Sequence, residues 1–185
     1  MTAGLTYGQL HSIAAFQERR RLTPEEAVAE LFEAAREDVY RYLLTLGIVP
    51  AQAQEATQEV FLRLYAVLRK GQRIGNMRAW IFRVAHNHGL TLRGQEQRWR
   101  PFDPEMEMRI PDGAGSPEQR LIERERRVNL GHAVASLSPQ QRQCLHLRTE
   151  GFRYREIAGI MGISDSSVGE FLRRAIVRLR KALDG

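Results

Sequence analysis

Three short segments of the chain carry the same signal for the start of a helix. Each has a serine or threonine, then proline, then a glutamate or glutamine three residues after the hydroxyl: Thr23-Pro24-Glu25-Glu26, Ser116-Pro117-Glu118-Gln119 and Ser138-Pro139-Gln140-Gln141. The hydroxyl can cap the first turn, proline suits the first helical position, and the third side chain can bond back to the cap. Apolar residues then recur at spacings of three and four, and no segment alternates as a strand would. We therefore expect an all-α chain.

The region from about residue 24 to residue 99 is predicted to form one small domain of three helices. Gly47 ends the first helix, the second ends near Gly71, and Asn76 can cap the third. The apolar residues at helical spacing are Leu31, Phe32, Ala35, Val39, Tyr42, Leu43 and Leu46, then Val60, Phe61, Leu64, Tyr65 and Leu68, then Trp80, Ile81, Val84, Ala85 and His88. Residues 1–23 form an N-terminal extension of weak pattern, to which we assign no function.

A change of composition between residues 100 and 117 predicts a linker. Six of these eighteen residues are proline or glycine, and the helical period is lost. From Asp103 to Glu118 the chain holds five acids against one arginine, a net charge of −4. A solvated spacer that self-repulsion keeps extended is one interpretation of this charge. Residues 118–185 then form a second small helical domain.

Despite this acidic linker, the chain as a whole is basic. The chain carries 28 basic and 22 acidic side chains, a formal charge of +6, and all the basic residues except Lys70 and Lys181 are arginine. A guanidinium holds phosphate through two parallel hydrogen bonds, so an anionic polymer is the leading partner class, and a basic surface without a specific ligand is the alternative. The lack of a long apolar stretch predicts no membrane insertion. Because the lone Cys144 cannot form an internal disulfide and no export signal is evident, we expect a cytoplasmic protein.

The segment from Tyr154 to Phe171 is typical of a helix-turn-helix. Ala158 is small where two helices would cross, Gly162 can turn the chain, and Ser164 can cap the second helix. The residues placed to wedge the helices together are Ile157, Met161, Val168 and Phe171. The second helix continues with Arg173, Arg174, Arg178, Arg180 and Lys181, which suits a recognition helix in the major groove of DNA. A generic helical hairpin is the alternative.

Signals for catalysis or metal binding are weak. Cys144 and His146 are two residues apart on a predicted helix and point to different sides, and a zinc site with His132 would still lack its usual four ligands. No nucleophile elbow, phosphate-binding glycine loop or paired-carboxylate motif occurs in the sequence. We therefore expect no metal, no cofactor and no enzymatic activity.

Four blocks of the sequence, taken in order, resemble the motifs of a known protein family. They are Gln58–Arg63, Arg78–Asn87, Leu137–Arg142 and Tyr154–Ala158. Together they resemble a group IV, extracytoplasmic-function type RNA polymerase sigma factor of the sigma-70 family. The resemblance implies a bacterial, all-helical protein in which a linker joins a minus-10-reading domain to a minus-35-reading helix-turn-helix domain. A stand-alone helix-turn-helix regulator is the alternative, and it leaves the first two blocks unexplained.

The resemblance also implies partners. They are promoter DNA, an anti-sigma factor that masks the polymerase-binding surfaces, and core RNA polymerase. The expected polymerase contacts are the clamp helices of the largest subunit and the flap of the second-largest subunit. The residues implied at the clamp helices are Glu55, Gln58, Glu59, Phe61 and Arg63. For Phe61 alone, packing in the core is the preferred interpretation.

Opening and reading of the minus-10 element is implied for Arg78, Trp80, Arg83, Asn87 and Thr91. Single-stranded DNA requires cations for its phosphates and a pocket or stacking surface for an extruded base. Asn87 is the preferred base contact because an amide offers both a donor and an acceptor. Trp80 suits stacking and core packing equally. His86 and His88 could add pH-dependent charge near DNA, but we expect them to be packed or solvent-facing.

The acidic linker gains a second interpretation from the same resemblance. In this family the corresponding segment threads through the polymerase toward the active-site cleft. Acidic side chains there can lie against the basic walls of the channel, where nucleic acid otherwise lies. The linker residues assigned to the channel are Asp103, Glu105, Glu107 and Asp112.

The minus-35 contacts implied by the resemblance are Ser166, Ser167, Gly169, Glu170, Arg173 and Arg174. Gly169 stands where many members have lysine or arginine, and a glycine inside a helix costs roughly 0.5 to 1 kcal/mol relative to alanine. Glu170 follows it, and a carboxylate repels phosphates although it can accept a hydrogen bond from cytosine. We therefore expect weakened or unusual minus-35 readout.

Overall fold

The computed structural model describes residues 22–95, here the first half, and residues 128–183, here the second half. The first half contains helices α1 (Pro24–Thr45), α2 (Pro50–Arg69) and α3 (Met77–Gln95). The second half contains α4 (128–135), α5 (Pro139–Thr149), α6 (Tyr154–Met161) and α7 (Asp165–Leu183). These two ranges contain no strand, so the predicted all-α fold is confirmed.

Some predictions concern residues outside the two described ranges. They are the helix start at Ser116, the acidic linker residues, and nearly all of the N-terminal extension. The proposed domain boundaries at residues 23, 99 and 117 therefore stay predictions.

The predicted helix starts within the described ranges are confirmed. The Thr23 hydroxyl accepts a hydrogen bond from the Glu26 N–H (3.2 Å), and the Glu26 carboxylate accepts one from the Thr23 N–H (2.9 Å). Ser138 and Gln141 make the same reciprocal pair at the start of α5. Asn76 caps α3, since its Oδ1 atom accepts a hydrogen bond (2.9 Å) from the backbone N–H three residues later.

The three helices of the first half pack against one another in all three pairings. Their shared core consists mainly of residues expected from spacing, including Ala35, Val39, Tyr42, Leu43, Val60, Leu64, Ile81 and Ala85. Phe82, which was not among the expected residues, is also fully buried. Near its C-terminal end α3 approaches α1 very closely. A β-carbon built at Gly89 would lie 2.5 Å from Leu46 Cδ1 and 3.2 Å from Leu43 Cδ2.

In the second half, α6, a tight turn and α7 form the predicted helix-turn-helix. Gly162 ends α6 with a φ of 67°, in the left-handed region that favours glycine. The Ser164 hydroxyl then accepts a hydrogen bond (3.1 Å) from the Ser167 N–H and caps α7. Ile157 and Val168 are fully buried between the helices, whereas Met161 and Phe171 are half-buried at the edge of the core. The helix-turn-helix prediction is therefore confirmed.

Some apolar residues of the second half face solvent. On α4, Val128 and Leu130 are exposed, whereas Ala133 is buried. One of the basic residues of α7 also has a structural role. Arg178 Nη1 donates to the Ser136 carbonyl (3.1 Å) and so ties α7 to the turn between α4 and α5.

The two halves are packed together. Helix α1 contacts α5, and α3 contacts α6. Their apolar side chains join in one continuous core, in which the Phe82 and Phe152 rings meet edge to face with centroids 4.9 Å apart. The sequence predicts two domains but does not predict this interface.

Candidate nucleic-acid and polymerase interfaces

One side of α3 carries four of the five residues predicted to act at the minus-10 element. Trp80, Arg83, Asn87 and Thr91 are spaced three, four and four residues apart, so they share a stripe along the helix. Arg83, Asn87 and Thr91 are exposed, and Trp80 is half-buried. Leu90, which the sequence reasoning missed, is 45% exposed beside Thr91. The stripe therefore presents a cation, an amide and a hydroxyl to solvent, together with a partly exposed indole.

The fifth predicted residue, Arg78, lies on the opposite side of α3. It precedes Trp80 by two residues, a turn of about 200° around the helix axis. Its Nη1 atom donates to the Glu150 carbonyl oxygen (2.9 Å), and its Nη2 atom lies 2.8 Å from the Glu150 carboxylate and 3.5 Å from that of Asp38. The Arg78 side chain is only 13% exposed. The structure thus separates Arg78 from the stripe and engages it with the second half.

The histidines beside Asn87 are packed or partly packed, as expected. His86 is buried, and its Nδ1 atom lies 2.8 Å from the Tyr42 hydroxyl. Burial lowers the pKa of His86, so its ring is neutral at physiological pH. His88 is half-buried, and burial together with the nearby Arg63 lowers the pKa of its ring.

The outward side of α2 carries the residues predicted to bind the polymerase clamp helices. Glu55, Gln58 and Arg63 are exposed, and the Glu59 carboxylate pairs with Arg63 Nε at 2.8 Å. Among them lies Leu62, which is 61% exposed and was missed by the sequence reasoning. Leu62 could have been identified from the sequence, because it is a leucine that falls outside the apolar stripe of α2.

Phe61 has a different environment from the other predicted clamp-binding residues. It is 3% exposed and packs edge to face on Phe32, with ring centroids 5.0 Å apart. The preferred interpretation, core packing, is therefore confirmed. The two rings form part of the floor of a shallow groove between α1 and α2, which is lined by Val28, Phe32, Gln58, Phe61, Leu62 and Tyr65.

Four of the six predicted minus-35 residues lie on one side of α7, whereas Ser167 and Gly169 are half-buried. Ser166, Glu170, Arg173 and Arg174 share the spacing of one helix face. Glu170 accepts two hydrogen bonds from Arg173 (both 2.9 Å) and another from Arg174 Nε. These bonds lower the pKa of the Glu170 carboxyl to about 2. The carboxylate is thus compensated by two arginines, and the three side chains together keep a net positive charge.

No close packing requires a glycine at position 169 of α7. A β-carbon there would meet only Tyr154 Cε2, at an ordinary contact distance of 3.7 Å. Nothing in its surroundings explains a glycine at this helical position.

Among the described residues, no three histidine, cysteine or acidic side chains are grouped as metal ligands would be. The Cys144 thiol is buried 3.5 Å from the Met161 sulfur, and burial raises its pKa to about 12. The thiol therefore stays protonated. In the same ranges no helix is both long enough and apolar enough to cross a membrane.

Two family profiles match the chain in order. Residues 31–99 match Sigma-70 region 2, and residues 127–179 match Sigma-70, region 4. The first match covers all of α2 and α3 and most of α1, and so includes the α3 stripe. The second covers the helix-turn-helix.

Several curated sigma factors are similar to the chain. The ECF RNA polymerase sigma factor RpoE of Cereibacter sphaeroides is 30% identical over 166 residues, which cover 85% of this chain and 86% of RpoE. BldN of Streptomyces coelicolor is 28% identical over 172 residues, which cover 90% of this chain and 64% of BldN. The chain thus spans just under two thirds of the length of BldN.

Two solved structures share the fold. RpoE of Bartonella quintana, in complex with the anti-sigma factor NepR, has a TM-score of 0.61 at 18% identity, with 84% of this chain and 96% of that chain covered. CnrH, in complex with the cytosolic domain of CnrY, has a TM-score of 0.58 at 18% identity, with 86% and 89% covered. With both sigma-70 regions matched in order and RpoE of C. sphaeroides 30% identical over most of its length, this chain belongs to the extracytoplasmic-function RNA polymerase sigma factors of the sigma-70 family, which initiate transcription.

Proposed function

We propose that this sigma factor acts in the cytoplasm, binds core RNA polymerase through the outward side of α2, reads the minus-10 element with the α3 stripe, and reads the minus-35 element with α7. The observation that carries the proposal is the α3 stripe. It combines, on one exposed helix side, the group types that bind a melted strand. The chain supplies no catalytic group or cofactor of its own in this proposal, because the polymerase carries out the chemistry.

The α3 stripe suits single-stranded DNA. Arg83 can neutralise a phosphate, and the Asn87 amide can both donate to and accept from the edge of an unpaired base. Thr91 already donates its hydroxyl to the Asn87 carbonyl (3.0 Å), which leaves the hydroxyl oxygen as an acceptor. Trp80 at the start of the stripe offers a partly exposed ring on which a base can stack.

The outward side of α2 suits a protein partner. An exposed leucine surrounded by Glu55, Gln58, Glu59 and Arg63 gives an apolar centre with a polar rim, which is the usual anatomy of an interface. The adjoining α1–α2 groove extends the apolar area. Both features support docking of the polymerase clamp helices here.

The outward side of α7 suits duplex DNA. Arg173 and Arg174 remain more than half exposed although both bind Glu170. Glu170 can exchange these intrahelical bonds for a cytosine amino group while the arginines turn to phosphates or guanine. The flap of the second-largest polymerase subunit is the proposed partner of this half on the enzyme.

An anti-sigma factor is the proposed inhibitory partner. B. quintana RpoE and CnrH, which share the fold, were solved with NepR and CnrY respectively. The linker residues Asp103, Glu105, Glu107 and Asp112 are proposed to enter the polymerase channel.

Transcription in vitro tests the DNA-binding part of the proposal. The full-length protein is added to core polymerase with fragmented genomic DNA, and start sites are mapped to find a shared upstream sequence. On a promoter found in this way, we expect Asn87→Ala to reduce transcription roughly tenfold, the effect of losing one good base contact. Arg41→Ala is the control, because Arg41 is an exposed residue of α1 that pairs with Glu37. Equal activity of both variants would contradict the assignment of the α3 stripe.

Core-binding measurements test the polymerase surface. We expect Leu62→Asp to weaken binding to core polymerase about tenfold or more, because it places a charge at the apolar centre of the interface. Leu90→Asp is a matched control, since it makes the same substitution at another exposed leucine, on α3. If the two variants bind core equally well, the outward side of α2 is not the docking surface.

A further inference from the structure

Three side chains of α7 form one hydrogen-bonded group at the surface, called here the Glu170 cluster: Glu170, Arg173 and Arg174. Arg173 donates from Nε to one Glu170 carboxylate oxygen and from Nη2 to the other, each at 2.9 Å, and Arg174 Nε donates as well. The arginine side chains are 64% and 60% exposed, and that of Glu170 is 39% exposed. The cluster is therefore accessible to a ligand that approaches this side of α7.

Glu170 is the acidic residue on this side of the helix. The other acid of α7, Asp165, precedes it by five residues, or about 140° around the axis. The Glu170 carboxyl is ionised at physiological pH, because its bonds to both arginines lower its pKa to about 2. An ionised carboxylate accepts hydrogen bonds but donates none. Any DNA group that replaces an arginine at Glu170 must therefore be a donor.

Duplex DNA offers few donors to such a carboxylate. Phosphate oxygens, guanine N7 and O6, and thymine O4 all accept hydrogen bonds. The donors in the major groove are the amino groups of adenine and cytosine. The adenine amino group lies beside the acceptor N7, which suits an amide, whereas cytosine presents its amino group without that acceptor. Cytosine is therefore the base that fits Glu170.

A site without this cytosine is penalised in either arrangement of the Glu170 cluster. If the cluster stays intact, both arginines remain bound to Glu170 and are less available to phosphates. If the arginines turn to the DNA, the carboxylate is left without a donor among phosphates and acceptor atoms, which costs free energy. A cytosine amino group resolves both problems, because Glu170 gains a donor and the arginines are released.

The neighbouring positions do not take over this selection. Ser166 lies one turn before Glu170, and its hydroxyl can donate or accept, so it bonds to either kind of base edge. Gly169 has no side chain to offer. The two arginines suit guanine or phosphate. Selection of cytosine on this side of α7 therefore depends on Glu170.

We propose that Glu170 sets the sequence preference of α7 by exclusion: it favours a minus-35 element that places a cytosine against it and weakens binding to sequences that lack this cytosine. The inference rests on the proposed function, because it takes α7 as the helix that reads the minus-35 element. It adds the base that the helix selects. Removal of Glu170 should strengthen binding to sequences without the cytosine, whereas loss of an ordinary contact would weaken it.

The test uses the full-length protein bound to core polymerase. The complex binds promoter fragments in which the minus-35 region is randomised, at one fixed salt concentration, and the bound fragments are sequenced. Glu170→Gln keeps the length of the side chain and gains an amide donor that suits adenine. Glu170→Ala removes the polar group. Asp165→Asn is the matched control, because it makes the same change from acid to amide at an exposed position on another side of α7.

The expected base preferences differ among the variants. Wild type should favour cytosine about tenfold at one position, the discrimination of one good base contact. Glu170→Gln should favour adenine at that position, and Asp165→Asn should behave as wild type. Glu170→Ala should lose the preference and bind fragments without the cytosine about fivefold or more tightly than wild type. Its affinity should also depend more steeply on salt, by about one counterion, because a released arginine can bind phosphate.

Three results would overturn the inference while leaving α7 as the reading helix. The first is an unchanged base preference in Glu170→Gln at every randomised position. The second is that Glu170→Ala binds fragments without the cytosine no more tightly than wild type. The third is that Asp165→Asn changes the preference as Glu170→Gln does. If wild type shows no base preference anywhere in the randomised region, the proposed role of α7 is contradicted, and the inference fails with it.

Discussion

Two glycines inside helices are expected to respond to alanine with opposite signs. A β-carbon at Gly89 of α3 would lie 2.5 Å from Leu46 Cδ1 and 3.2 Å from Leu43 Cδ2, and both leucines are buried, at 1% and 0% exposure. At Gly169 of α7 the nearest atom would be 3.7 Å away, an ordinary contact. Only Gly89 is therefore needed for a close approach between helices.

The magnitudes follow from two terms. Alanine in place of glycine inside a helix contributes about 0.5–1 kcal/mol to stability, and this term applies to both variants. At Gly169 nothing opposes it, so Gly169→Ala should raise the free energy of unfolding by that amount. At Gly89 the added methyl overpacks a filled core, which costs about 1–3 kcal/mol. The difference between the two variants isolates the overpacking cost because the helix term cancels.

Urea unfolding followed by far-ultraviolet circular dichroism measures both variants against wild type. We expect the midpoint of Gly169→Ala to rise and that of Gly89→Ala to fall, with unchanged slopes. An equal rise in both variants would refute the reasoning, because it would show that α3 does not approach α1 as closely as the structure indicates.

Three further predictions concern individual side-chain contacts. Burial and the Asp38 carboxylate raise the pKa of Glu150 above its usual value, against the opposing effects of His146 and Arg78, so folding takes up a proton in the window just above pH 4.5. Urea unfolding should therefore show the free energy of unfolding falling as the pH rises through this window, and Glu150→Gln should remove that dependence. Tyr42→Phe should lower the free energy of unfolding by about 1–3 kcal/mol, because it leaves the buried His86 Nδ1 without its hydroxyl partner, and urea unfolding measures this loss. Thr23→Ala should lower the same quantity by about 1 kcal/mol through loss of the α1 cap, whereas no change would show that the reciprocal bonds with Glu26 do not persist in solution.

The arginine excess of the chain divides between surface and structural roles. Arg83, Arg173 and Arg174 are exposed on the proposed DNA-binding surfaces. Arg78 and Arg178 instead bond to the backbone carbonyls of Glu150 and Ser136. A count of basic residues therefore overstates the charge available to DNA, and the contacts of each guanidinium decide its role.

Local sequence signals predicted most of the helical framework. The reciprocal caps at Thr23 and Ser138 and the left-handed turn at Gly162 depend on residues within a few positions of one another, so they can be identified without tertiary structure. The four-residue stripe on α3 is also a property of helical spacing. Leu62 and Leu90 could have been found in the same way, as leucines that fall outside the apolar face of their helices.

The sequence by itself determined that Thr23, Asn76, Ser138 and Ser164 cap the starts of four helices, and it identified most of the residues that the helices bury. It also identified the family that the chain resembles. What only the tertiary structure decided is how distant segments meet. Nothing near Arg78 in the sequence indicates that Glu150, 72 residues away, accepts its hydrogen bonds. Nothing near Gly89 indicates that Leu46 will lie against it. Caps and periodicity arise from forces within one helix, whereas these contacts depend on how whole helices pack, and that is settled by the combined burial of both halves.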